Sequence, residues 1–137
     1  MNIPIIDRSN YLKGLFITAK LDGNLNKKEK ELLKEISDQL GFSRDFYEET
    51  VKNLLRNKYI KEEKIKFSSK EIAKSFIEDA LTISLSDGKL NESEIIWLKQ
   101  ISELNGIEQE FIEKNFDKIK LKTINNSNIK TALLSII

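Results

Sequence analysis

Neither cysteine nor histidine occurs among the 137 residues, and proline and tryptophan occur once each. Without cysteine there is no disulfide framework, no thiolate nucleophile and no cysteine-ligated zinc. Without histidine the commonest general base and the commonest metal ligand are lost together, which excludes hydrolase triads and histidine zinc sites. Carboxylates, lysines, tyrosines and hydroxyls remain for chemistry. A dominant charge is also lacking: 23 Lys and Arg stand against 22 Asp and Glu, a net +1. Divided near Ile65, the first part carries 13 basic and 11 acidic residues and the second 10 and 11. Neither part has the basic excess that a phosphate backbone demands, so no nucleic-acid partner is expected. The longest strongly apolar run is Ile95-Ile96-Trp97-Leu98, far below the ~18 residues of a membrane span, so no direct membrane insertion is expected. The short apolar stretch at the N-terminus has no basic leader and is broken by Pro4. It does not read as a signal peptide, and the expected location is cytoplasmic.

Apolar residues make up 39% and charged residues 33%, the balance of an ordinary folded chain, and the length suits one domain with one core. Within that domain the sequence repeats. The segment Leu21-Asp22-Gly23-Asn24-Leu25-Asn26-Lys27-Lys28-Glu29 matches Ser86-Asp87-Gly88-Lys89-Leu90-Asn91-Glu92-Ser93-Glu94, with Asp, Gly, Leu, Asn and Glu at the same spacing. The offset is 65 residues, from Asp22 to Asp87. It holds downstream, where Leu33, Ile36, Gly41 and Phe46 match Leu98, Ile101, Gly106 and Phe111, and upstream, where Tyr11 and Leu12 match Phe76 and Ile77. An internal duplication accounts for this better than composition.

Each copy reads as three helices. Tyr11, Leu12, Leu15, Phe16 and Ala19 share one helical face over about 10–21, and Ile72, Ala73, Phe76, Ile77, Ala80 and Leu81 do so over about 69–85. Asn26 and Asn91 then stand where N-caps belong, with Glu29 and Glu94 three residues on, the spacing of a capping box. The helices that follow bury Leu32, Leu33, Ile36 and Leu40 in one copy and Ile95, Leu98, Ile101 and Leu104 in the other. Gly41 and Gly106 end them, because glycine takes the left-handed conformation cheaply. Ser43 caps a third helix with Phe46, Tyr47, Val51, Leu54 and Leu55 inward; its counterpart uses Phe111, Ile112, Phe116 and Ile119. A charged connector runs over 58–66, with Tyr59, Ile60, Ile65 and Phe67 expected to pack. Ile129, Ala132, Leu133 and Ile136 suggest a closing seventh helix over about 126–137. The expected fold class is therefore all-α: six to seven helices in two pseudo-symmetric three-helix repeats (about 10–57 and 69–122) forming a single-domain bundle over 1–137. No period-2 alternation is long enough for a strand.

The paired Asp-Gly-x-Leu-Asn-x-x-Glu segments invite comparison with a calcium-binding EF-hand. With Gly23 at loop position 6, Asp22 falls at 5, Leu25 at 8 and Glu29 at the bidentate position 12. The first half of the loop fails. Position 1 is Thr18 or Ile83 and position 3 is Lys20 or Leu85, which leaves far fewer oxygens than the six to eight that calcium takes. Two readings of Asp22, Glu29, Asp87 and Glu94 stay open. As structural devices, Asp before Gly accepts backbone N–H groups in a tight turn and Asn-x-x-Glu caps a helix. As ligands they would need helix packing that brings both turns together, so that four otherwise repelling carboxylates share a cation.

A helix, then Asp-Gly-x-Leu-x-x-x-Glu, then a helix ending in Gly, present twice over roughly 11–119, resembles the tellurite-resistance TerB-like family. The resemblance implies a compact all-α domain of two three-helix repeats, found in bacterial tellurite-resistance and stress-response operons and as a module in membrane-anchored J-domain co-chaperones. It also implies that the acidic positions, here Asp22, Glu29, Asp87 and Glu94, bind a divalent metal ion. The alanine common three residues before the motif's Asp is Ala19 in one copy and Ser84 in the other.

The remaining candidates read as structure. Trp97 stands at the position of Leu32 and is expected in the core or half-buried in a groove; Tyr47 and Tyr59 are expected to pack with wet hydroxyls. The lysine clusters at 56–66 and 114–122 read as solvated faces. The expected function is that of a non-catalytic interaction module with a protein partner. Metal binding through the four carboxylates is the alternative, and a carboxylate-based metal-dependent enzyme is the third reading.

Overall fold

The computed structural model describes residues 2–21, 25–56, 64–87, 90–124 and 131–137, with side chains for all of these except 54–56, 87 and 122–124. These residues form six α-helices: α1 (Ile5–Leu21), α2 (Lys27–Gln39), α3 (Arg44–Arg56), α4 (Lys70–Ser84), α5 (Glu92–Leu104) and α6 (Gln109–Ile124). Two 3-10 turns, Leu85–Asp87 and Ala132–Ser135, complete them, and there is no strand among the described residues. The all-α class expected from the periodicity holds. The helix starts also keep the sequence offset: α4, α5 and α6 each begin 65 residues after α1, α2 and α3.

The helix ends form where their local chemistry places them. Asn26 Oδ1 accepts from the Glu29 N–H, Asn91 Oδ1 from that of Glu94, Ser43 Oγ from that of Phe46 and Ser69 Oγ from that of Ile72. Each satisfies a donor that the first helical turn leaves without a partner. At the other ends Gly41 and Gly106 have φ of 87° and 69°. Around them Phe42 and Ile107 donate to the carbonyls of Ser37 and Ser102, and the glycines to those of Asp38 and Glu103, the paired bonds of a Schellman ending.

α1 and α4 lie against one another at the centre and share the most extensive contact in the fold. α2 and α3 pack on α1, while α5 and α6 pack on α4. Enclosure of the central pair explains why burial spreads around both helices: Tyr11, Leu12, Leu15, Phe16, Ile17 and Ala19 on α1, and Ile72, Ala73, Phe76, Ile77, Ala80, Leu81 and Ile83 on α4. Close approach depends on Gly14. A Cβ there would stand 2.6 Å from Phe76 Cε1 and 2.7 Å from its Cζ, distances that require the ring or the helix to move. Trp97 is buried on α5 with its ring edge-on to Phe76.

Several boundaries and faces differ from the sequence expectation. α1 begins at Ile5 rather than near Asn10. The Pro4 carbonyl accepts from the Arg8 N–H, and a residue just outside a helix needs no N–H of its own. Ile5 and Ile6 in that first turn are 77% and 69% exposed, so apolar periodicity does not report it. Phe46, expected inward, is 45% exposed and stacks on Phe42 with ring centroids 4.8 Å apart. Leu104, the last residue of α5, is 38% exposed, while the next residues Asn105 and Ile107 turn inward. Leu32, Ile95, Phe111 and Phe116 are only half-buried, and the ammonium groups of Lys74 and Lys120 cover the last two rings. Leu54 and Leu55 side chains, Tyr59, Ile60 and Ile129 lie outside the described residues.

The end of the connector packs as expected, with Ile65 and Phe67 buried. Asn105, the C-cap of α5, holds it in place. Its Oδ1 accepts from Phe67 N–H at 2.8 Å and its Nδ2 donates to the Ile65 carbonyl at 2.9 Å. The closing helix expected over 126–137 is, in its described part, the short 3-10 turn Ala132–Ser135. Only Leu133 of that turn is fully buried, and Leu134 and Ile137 are exposed. The Leu133 side chain and the N–H groups of Ala132 and Leu133, which donate to Asp79, anchor this turn, and i→i+3 bonding needs few residues.

Candidate functional site

The two Asp-Gly motifs fall in the chain between α1 and α2 and between α4 and α5. Of the four candidate metal-ligating residues, Asp22 lies outside the described residues, as does the side chain of Asp87, whose backbone closes the 3-10 turn after α4. Glu29 and Glu94 are both fully buried at the third positions of α2 and α5. Glu94 completes a capping box: its Oε1 accepts from the Asn91 N–H at 3.2 Å while its own N–H donates to Asn91 Oδ1 at 2.8 Å. In the first copy the Asn26–Glu29 half of that exchange is present at 2.8 Å. Residues flanking the two motifs meet, because Asn91 Nδ2 donates to the Leu21 carbonyl at 3.1 Å. One residue thus caps the start of α5 and the end of α1, which ties the repeats together beside the motif. Among the described residues no three carboxylates converge as a metal would require.

A concavity opens between α2 and α3, with a volume of about 570 Å³. Lys27, Lys30 and Lys34 line it from α2, and Tyr47, Val51 and Lys52 from α3. The α2 positions follow helical spacing, so their side chains run as a row along one edge. Tyr47 is buried and its hydroxyl donates to the Lys30 carbonyl at 3.0 Å. Its polar atom is therefore satisfied within the fold rather than wet, and the ring presents an apolar floor beside Val51. Burial, with the nearby Asp38 charge second, raises the Tyr47 pKa above the ordinary 10, so the phenol stays neutral at physiological pH. Glu31 and Glu48 are the acidic members of the lining, which leaves four ammonium groups against two carboxylates. None of the four lysines forms an ion pair with a described residue.

Two buried carboxylates were not legible as candidates. Asp7, 1% exposed on α1, accepts from the Ser68 N–H at 3.0 Å and from the Ser68 hydroxyl. Asp79, 2% exposed on α4, accepts from the Tyr11 hydroxyl, from the Ala132 N–H at 2.7 Å and from the Leu133 N–H at 3.2 Å. Ser75 Oγ lies 2.8 Å from the same Tyr11 hydroxyl. Both acids join segments more than fifty residues apart, so their partners carry no short-range sequence signal. Burial pushes the Asp79 carboxyl up to about 6, against the opposing pull of its hydrogen bonds from Tyr11, Ala132 and Leu133. Burial likewise raises the Tyr11 phenol well above 10, with the Asp79 charge adding to it. No described helix is long and apolar enough to cross a membrane. Comparison with protein-family models, with curated proteins and with solved structures finds no match.

Proposed function

We propose that the protein is a non-catalytic interaction module of TerB-like type that takes a segment of a partner protein in the groove between α2 and α3. The observation that supports this reading is the groove itself: a trough of about 570 Å³ with an apolar floor and a charged rim on two helices. Helix-lined grooves of this kind accept the apolar face of a peptide while rim charges set its register. The doubled Asp-Gly-x-Leu-Asn-x-x-Glu motif supplies the context, a bacterial cytoplasmic stress or tellurite-resistance response. Blocking the floor tests the reading. Val51→Arg is expected to abolish retention of a partner held by the native protein, with the helical CD spectrum unchanged. Phe116→Arg, at the matching position of the other copy, is expected to retain it. Equal retention by native protein and Val51→Arg would place the binding surface elsewhere.

Divalent-cation binding by Asp22, Glu29, Asp87 and Glu94 is a second reading, favoured by the Asn91–Leu21 hydrogen bond that joins residues flanking the two motifs. Calorimetric titration of metal-stripped protein with calcium, manganese and zinc decides it, run beside the Glu29→Gln/Glu94→Gln double variant. Heat that disappears in the variant makes the glutamates ligands. No heat in either protein leaves them as caps, since glutamine also serves at the third position of a capping box.

A further inference from the structure

The copies diverge in charge at the groove. In the 65-residue offset, Lys27, Lys30 and Lys52 correspond to Glu92, Ile95 and Asp117, and only Lys34 keeps its charge, as Lys99. Glu48 corresponds to Glu113, while Ile96 replaces Glu31. The same eight positions thus carry four lysines and two carboxylates in the first copy, and one lysine and three carboxylates in the second. A solvated helical face has no physical need for this opposition, since either balance keeps a surface soluble.

From this divergence, and resting on the groove reading above, we infer that the occupant of the α2–α3 groove is an acidic amphipathic helix of a protein partner. Unpaired ammonium groups around a trough repel one another, and an occupant that excludes water strengthens that repulsion by lowering the local dielectric. A neutral apolar peptide would therefore gain the Tyr47 and Val51 floor at an electrostatic cost. Carboxylates along the peptide edge reverse the sign of that term. The spacing suits a helix. Lys27, Lys30 and Lys34 stand at i, i+3 and i+7 on α2, about 4.5 and 6 Å apart along the axis. Acidic residues at i, i+3 and i+7 of a helix lying alongside meet all three, and the adjoining apolar stripe faces the floor. The lining on α2 runs from Lys27 to Lys34, about 10 Å along the axis, the span of about two turns of ligand.

The test uses the full chain, labelled for amide NMR, and three synthetic 16-residue alanine-based peptides. One carries Glu-Leu pairs at positions 5–6, 8–9 and 12–13; the second has Lys in place of each Glu; the third has the first composition in scrambled order. The Glu-Leu peptide is expected to shift amides of α2 and α3, to bind at least about tenfold more tightly than either control, and to weaken as salt rises. Lys27→Glu/Lys30→Glu, two exposed positions, is expected to lose that preference and to favour the Lys peptide instead. Equal binding of the Glu and Lys peptides on α2–α3 would overturn the acidic partner while leaving the groove reading in place. Shifts confined to α5–α6, or no shifts with any peptide, would overturn both the acidic partner and the use of this groove.

Discussion

Phe76→Ala is expected to lower the free energy of unfolding by about 3–5 kcal/mol, the range for removing a fully buried ring. Phe76 is inaccessible to solvent at the α1–α4 contact. Its ring is edge-on to Tyr11 at 5.5 Å and to Trp97 at 6.0 Å, and tilted against Phe67 at 5.2 Å. Truncation therefore opens a cavity that three other aromatics line, and rings in a dense core relax little into such a space. A domain of this size has about 5–15 kcal/mol in all, so the urea midpoint is expected to fall by about 1–3 M. Gly14 provides the internal control, since its missing Cβ is the space the ring occupies. Gly14→Val alone is expected to destabilise by about 1–3 kcal/mol through overpacking. In the Phe76→Ala background it fills part of the cavity, and the double-mutant cycle is expected to show a coupling on the order of 1–3 kcal/mol. Additive losses would mean that the two sites do not touch.

Asp79 is expected to produce the second large effect, one that depends on pH. Its folded pKa of about 6 lies above the ordinary 3.8 because burial penalises the charged carboxylate. Between those values the folded protein binds the proton more tightly than the unfolded chain. The stabilisation from this group is thus complete below about pH 4 and is lost as pH rises through about 6. The span corresponds to a change on the order of 3 kcal/mol. Asp79→Asn cannot titrate, so the stability of native protein relative to this variant is expected to grow by that order when pH falls from 7 to 4. Parallel urea-unfolding profiles for the two proteins over that range would show a solvated carboxyl and sink the prediction. Asp79→Ala removes the acceptor of the Ala132 and Leu133 N–H groups and of the Tyr11 hydroxyl. Hydrogen exchange at Ala132 and Leu133 is expected to accelerate at neutral pH, as the C-terminal turn detaches from α4.

The helices were legible because their signals are local. Asn26, Asn91, Ser43, Gly41 and Gly106 act on backbone groups within five residues of themselves, and each does in the fold what its type and spacing predict. Leu33, Ile36, Leu98 and Ile101 are buried as their periodicity requires. The misses share a cause as well. Phe46 looks inward on a helical wheel, yet the adjacent Tyr47 takes the place against Phe16 of α1, and the Phe46 ring stacks on Phe42 instead. The C-terminal segment has helical spacing of apolar residues, but among the described residues Leu133 is buried in the core, Ile136 packs partly against it, and the backbone forms a 3-10 turn. Of the candidate site, the place of Glu29 and Glu94 at the third positions of α2 and α5 was legible from the Asn-x-x-Glu spacing, but their complete burial was not. Nor was the concavity between α2 and α3, because lysines on two separate helices become one rim only when those helices pack.

The sequence by itself determined the helical class, the order of the six helices, the capped ends at Asn26, Asn91, Ser43, Gly41 and Gly106, and the 65-residue offset, since capping, glycine geometry and apolar spacing are matters of near neighbours along the chain. The tertiary structure alone decided what the matching positions do. Tyr11 matches Phe76 and Gly14 matches Asp79 in the 65-residue offset. Across the α1–α4 contact one crossing is the Tyr11–Asp79 hydrogen bond and the other is the Phe76 ring over Gly14. Duplication predicts equivalent places for these residues, but not that one place becomes polar and the other apolar. That outcome depends on side chains more than sixty residues apart meeting in a space where every buried donor needs an acceptor and every void costs stability.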